Sequence, residues 1–202
     1  LSMFLKDWLT APVGKDDKGL GYFDGVSSLK STEKYTTYSL QGEHGRSQAA
    51  QLLIRYARQM PVGAEIWLYT NEVPDLSNDE TAGFAQHWRT SILSVISEGC
   101  SLKIIHSLNR SYETLAEDLI NWLPVHMTGR TEAFFIPHYK EEKLRHTYIL
   151  LKDQIAVYNR RLAASEKTVN TFITYDTPLV KDVENIMTDF FGRSVKIFRK
   201  MS

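Results

Sequence analysis

The chain has 202 residues, 43% hydrophobic and 24% charged, with 24 basic side chains balancing 24 acidic ones. That is a globular composition, long enough to bury a core of its own, and it excludes a disordered chain. Zero net charge argues against a dedicated nucleic-acid surface, which normally carries a basic excess.

No apolar run reaches the roughly 18 residues that a membrane-spanning helix needs, and no basic start followed by an apolar core marks a signal peptide. The single cysteine, Cys100, has no intramolecular disulfide partner. A cytoplasmic location is therefore expected. The start Leu1-Ser2-Met3, without an initiator methionine, fits a tag remnant before Met3 or a fragment of a longer protein, and the fragment is the expected reading.

Residues 1–46 hold seven glycines or prolines and little apolar periodicity, which predicts an N-terminal arm or linker. Two features stand out in it. Phe4, Leu5, Trp8 and Leu9 form a short apolar helical stripe that must dock on the core or on a partner subunit. The threonine- and tyrosine-rich KYTTYSLQG can pair as an edge strand.

From Ser47, taken as a cap, Ala49, Leu52, Leu53, Tyr56, Ala57 and Met60 recur at helical spacing until Pro61. AEIWLYTN (64–71) reads as a buried strand. Phe84, Trp88, Ile92, Val95 and Ile96 trace a second helix that stops at Gly99, and CSLKIIHSL follows as a second buried strand. This alternation predicts a parallel α/β arrangement.

A third helix, 112–122, is closed by Pro124, and the strand EAFFI (132–136) leads through a polar loop to HTYILL and IAVYN. The three residues Lys152-Asp153-Gln154 between these last two predict a hairpin. A further strand (168–176), a helix carrying Val180, Val183, Ile186, Met187, Phe190 and Phe191, and the segment VKIF complete the chain. Trp67, Trp88 and Trp122 fall on buried faces.

Several common site signatures are absent from the sequence. There is no glycine-rich phosphate loop, no dinucleotide fingerprint, no nucleophile elbow and no Cys or His pair at zinc spacing. Neither cofactor nor metal is expected.

The stretch LRHTYILLKDQIAVYNRR (144–161) places His146, Tyr148 and Asp153 in the frame His-x-Lys-x-x-x-x-Asp, with tyrosine at the lysine position. This resembles the signature of the phospholipase D superfamily, in which the histidine attacks phosphorus, the lysine holds phosphate oxygens and the aspartate orients the histidine. The layout of two strand-helix units, a polar loop and a hairpin is similar to one half-domain of that fold over residues 47–200. It is also similar to the effector domains of transcriptional regulators that borrowed it. Two departures count against catalysis: Tyr148 cannot supply positive charge to a developing oxyanion, and Val157-Tyr158-Asn159-Arg160 stands where active members carry Gly-Ser-x-Asn.

Each residue of the frame also has a plain structural role open to it: Asp153 as a turn former, His146 at strand entry, Tyr148 as a strand aromatic. His106, ending a buried strand near Asn109 and Arg110, sits where α/β sheets bind ligands. Asn159, Arg160 and Arg161 offer anion-binding geometry or a solvated basic turn. Arg193, Lys196, Arg199 and Lys200 give the tail a modest basic stripe.

The expected architecture is thus α/β, a mixed sheet flanked by helices, with residues 47–202 as a phospholipase D-like regulatory domain. The expected function is effector sensing or dimerisation within a transcriptional regulator whose DNA-binding domain lies outside this chain. Two copies would pair, and a small anionic ligand would sit among His106, Arg110, His146, Tyr148, Asp153, Asn159 and Arg161, with no membrane contact. The alternatives are a single-motif phosphodiesterase acting as a homodimer, with Lys103 or Lys152 standing in for the missing lysine, and a ligand-free interaction module.

Overall fold

The computed structural model describes residues 37–72, 79–107, 112–137, 144–162 and 170–197. The chain divides into two units, residues 1–34 and residues 35–202. The first, with its apolar stripe at residues 4–9, lies outside the described residues.

The described chain runs β1 (Thr37–Gln41), α1 (Gly42–Gln59), β2 (Glu65–Thr70), α2 (Asp79–Ser97), β3 (Ser101–His106), α3 (Tyr112–His126), β4 (Thr131–Phe135), β5 (Leu144–Leu151), β6 (Ile155–Leu162), β7 (Asn170–Thr174), α4 (Thr177–Gly192) and β8 (Val195–Lys196). The eight strands form one sheet in the order β1-β7-β6-β5-β2-β3-β4-β8. β2, β3 and β4 are parallel, as the strand-helix alternation requires, and the pairings β2 to β5, β5 to β6, β6 to β7, β7 to β1 and β4 to β8 are antiparallel. The sheet is therefore mixed, with TYSLQ at one edge.

Strand alternation divides the core in two. Ile66, Leu68, Leu102, Ile104, Ile149, Leu151, Val157 and Ile173 pack against Leu53 and Ala57 of α1, Ile92 and Val95 of α2 and Val125 of α3. Trp67, Tyr69, Ile105, Tyr148, Leu150 and Ala156 pack against Val180, Val183 and Met187 of α4. Among the described residues one face thus carries three helices and the other a single one, which leaves the β6–β7 flank beside α4 open.

Two helix boundaries differ from the sequence reading. α1 starts at Gly42 and not at Ser47, because its first turn is polar and glycine-rich and shows no apolar period. α3 runs through Pro124 to His126. The carbonyl that proline leaves without a helical donor belongs to Ile120, which is 68% exposed and so within reach of water. The expected stop after α2 does occur, with Gly99 at φ 121°.

α1 meets the edge strand through a glycine. A Cβ added at Gly45 would lie 2.7 Å from the backbone carbon of Leu40. Gly45→Ala is expected to cost about 1–3 kcal/mol, since relief requires moving backbone and not a flexible side chain. Urea denaturation checks this, and a cost below 0.5 kcal/mol would mean α1 shifts freely on β1.

Candidate functional site

The position of His146 is set by its neighbour on β2. Asn71, fully buried just past the strand end, accepts from the His146 backbone N–H through Oδ1 at 2.7 Å, donates its own N–H to the His146 carbonyl at 3.2 Å, and donates Nδ2–H to the Leu144 carbonyl at 3.0 Å. This clamp fixes the start of β5 and directs His146 and Tyr148 to the α4 face.

On that face the imidazole is enclosed by rings. Tyr69 and Tyr148 lie 5.3 and 5.4 Å from it, and Phe190 of α4 stacks on it at 5.8 Å with an interplanar angle of 4°. His146 and Tyr148 are only 7% and 5% exposed. The Tyr148 hydroxyl meets the Arg160 Nη2 at 3.4 Å.

Three other expected residues, Asp153, Asn159 and His106, do not join the ring cluster around His146. Asp153 is exposed in the β5–β6 turn at φ 61°, a conformation that aspartate tolerates better than most side chains. At about 3.4 Å per residue that turn lies far along the strand from His146, so the two do not share a site. Asn159 pairs with Thr147 on the opposite sheet face, where its Oδ1 accepts the Thr147 N–H at 3.1 Å. His106 is also on that opposite face, its Nε2 3.3 Å from that of His126 and its ring 6.3 Å from Trp122.

The expected cleft joining His106 to His146 is therefore corrected: the sheet itself lies between them, because β3 presents Leu102, Ile104 and His106 to the three-helix side. Arg110 and the side chain of Arg161 lie outside the described residues, as do Asn109, Arg199 and Lys200. The two lysines weighed as substitutes gather around Trp67, with Lys103 Nζ 5.3 Å and Lys152 Nζ 5.8 Å from its ring. Trp67 is at the register of Leu150, at the other end of β5 from His146.

Two further groupings went unread in the sequence. On the three-helix face, Arg46 of α1 pairs with Glu72 at 2.6 Å, Thr147 donates to the same carboxylate at 3.4 Å, and the Thr70 and Thr147 hydroxyls meet at 2.9 Å. On the other face, a cleft of about 330 Å³ opens between the sheet and α4. Tyr148, Tyr158 and Phe172 form its floor, Leu179, Val183 and Ile186 its helical wall, and Arg160 and Asp182 also line it, as does Asn159 of the expected residues. Tyr158 and Arg160 alternate along β6, a period visible in YNR, but nothing local indicates that α4 lies across them.

The His106–His126 pair predicts a pH response. Burial holds the His126 imidazole below its ordinary value of 6.5. As pH falls, the unfolded chain binds this proton before the folded chain does, so stability is complete above about pH 6.5 and declines below it. The wild type is expected to lose more thermal stability between pH 7.5 and 5.5 than His126→Gln, and equal losses would remove the histidine from the account.

Among the described residues no group of three or more His, Cys, Asp or Glu side chains is placed to hold a metal ion, and no helix is long and apolar enough to cross a membrane.

No family model matches the chain, and no curated protein matches it in sequence. Solved structures do match in fold. Nuc, a phospholipase D family member from Salmonella typhimurium, is similar with a TM-score of 0.52 at 10% identity, covering 82% of this chain and 99% of its own. NucT from Helicobacter pylori gives 0.50 at 13% identity, with 81% and 99% covered. TrmBL2, an archaeal chromatin protein described as having a novel mode of DNA binding, gives 0.52 at 14% identity, with 97% of this chain and 66% of that chain covered. At such identities the likeness is one of fold: the chain is a mixed α/β domain like those of phospholipase D family members.

Proposed function

We propose that this chain is a non-catalytic phospholipase D-like domain that senses an effector and holds a homodimer within a regulatory protein. The observation that carries the reading is the ring enclosure of His146. A histidine that attacks phosphorus needs an open approach to its nitrogen and a cation on the phosphate oxygens. Here His146 is only 7% exposed with its Nε2 buried, and a tyrosine occupies the lysine position.

The likeness to an archaeal chromatin protein supports a parent that acts on DNA. In this reading DNA contact belongs to a domain outside this chain, in keeping with the zero net charge of the sequence. Ligand occupancy would then bias the geometry of a dimer and so the posture of its DNA-binding parts.

The test pairs two assays on the whole chain. Hydrolysis of bis(p-nitrophenyl) phosphate is expected to stay at the buffer rate, and sedimentation velocity is expected to give a dimer. Turnover that disappears in His146→Ala would overturn the non-catalytic reading, and a monomer at tens of micromolar would overturn the dimeric one.

A further inference from the structure

The cleft beside α4 is small, mostly apolar and flanked by opposite charges. Tyr158 and Phe172 stack across β6 and β7 with centroids 5.3 Å apart and an interplanar angle of 19°, which makes a flat aromatic floor. Leu179 and Ile186 remain 36% and 37% exposed on the helical side, so the wall is unfinished. About 330 Å³ is at the lower end of the range for small-ligand pockets, suited to a single-ring or two-ring compound and not to a dinucleotide.

The charges narrow the chemistry. Arg160 is exposed, and among the described residues its guanidinium has the Tyr148 hydroxyl as a neighbour and no carboxylate within ion-pair distance. Among the described residues Asp182 likewise has no cation within that distance, and it does not pair with Arg160 although both line the same cleft. The adjacent Lys181 is engaged by Glu184 at 2.6 Å.

A purely apolar guest would strip water from both charges and replace it with nothing. An aromatic acid would satisfy Arg160 alone. A zwitterion with an aromatic body satisfies both, through a carboxylate on the guanidinium and an ammonium on the aspartate.

We infer that this cleft binds a free α-amino acid with an aromatic side chain, its ring on Tyr158 and Phe172, its carboxylate on Arg160 and its ammonium on Asp182. The assignment deepens the effector-sensing reading by naming the ligand class. It also supplies a route from site to scaffold, since the Tyr148 beside Arg160 belongs to the ring cluster that Phe190 joins to α4.

The experiment is calorimetric titration of the whole chain with L-phenylalanine and L-tryptophan, beside 3-phenylpropionate, which lacks the ammonium, and phenethylamine, which lacks the carboxylate. One of the two amino acids is expected to bind and, near saturation, to raise Tm by about 5 °C. Arg160→Gln and Asp182→Asn are each expected to weaken it tenfold or more, and both positions are exposed, so the variants should fold. Both analogues should bind at least tenfold more weakly.

Absence of heat and of a Tm shift with either amino acid overturns the assignment, as does binding unchanged in Arg160→Gln or phenylpropionate binding as tightly as phenylalanine. None of these readouts depends on hydrolysis or on dimer formation. A failed ligand is thereby distinguished from a failed regulatory reading, which the phosphodiester and sedimentation assays address.

Discussion

Glu72→Ala is expected to remove about 3–5 kcal/mol of stability, the cost of leaving one member of a buried ion pair without the other. Glu72 is 4% exposed and lies 2.6 Å from the Arg46 guanidinium, whose side chain is 15% exposed. The same carboxylate accepts from Thr147, and the Glu72 N–H donates to the Thr70 hydroxyl at 3.2 Å. The substitution thus removes an acceptor that the Arg46 guanidinium and the Thr147 hydroxyl share.

Since small domains are stable by only about 5–15 kcal/mol, such a loss brings this one close to unfolding at 37 °C. The comparison that isolates the charge is Arg46→Met with Glu72→Leu, which removes both ions and should recover most of the loss. Urea midpoints at unchanged m value provide the measurement. A single-variant cost below 1 kcal/mol would mean that water already screens the pair.

The Glu72 cluster also bears on function through Asn71 beside it. Asn71 holds both backbone groups of His146, so the end of β2 that Arg46 ties to α1 is the same end that positions the histidine. Loosening the ion pair on one sheet face is therefore expected to reach the ring cluster on the other.

Much of the architecture could be read along the chain because it is local. The apolar period of α1, the buried run in β2, the glycine after α2 and the three-residue connection between β5 and β6 each announce one element. What the chain does not announce is how elements meet. The antiparallel pairing of β5 with β2, which places a hairpin in the middle of a sheet begun by parallel strands, is a tertiary choice between two buried strands of similar composition.

The site was legible where strand geometry alone decides it. His146 and Tyr148 differ by two positions and share a face, whereas Asp153 lies in the turn beyond the far end of the strand that carries His146 near its start. A three-residue turn also fixes the partner of His146 across the hairpin as Arg160, one place before the Arg161 expected at the site. The same register places Asn159 opposite Thr147, on the other face. His106 was misassigned for a different reason: proximity to a strand end carries no information about which side of the sheet a side chain takes.

Tyr148→Lys, which restores the His-x-Lys pattern in sequence, is expected to fail on two counts. Tyr148 is 5% exposed, 5.4 Å from His146 and 6.1 Å from Phe190, with its hydroxyl already beside the Arg160 guanidinium. An ammonium there is buried among rings and next to a like charge, so it either gives up its proton or costs about 3 kcal/mol or more. In neither case does it offer a phosphate oxygen a free cation.

The variant is accordingly expected to melt well below the wild type and to leave bis(p-nitrophenyl) phosphate intact. Adding Phe190→Ala removes the stacked ring and separates the two obstacles. If access alone blocked chemistry, the double variant would hydrolyse the ester while Tyr148→Lys would not. If the cation is the larger barrier, both stay silent, because the buried lysine is neutral or turned away. His146-dependent turnover in Tyr148→Lys alone would show that α4 lifts from the sheet readily enough to admit a phosphodiester, and the ring enclosure would then be a closed state of a site and not its replacement.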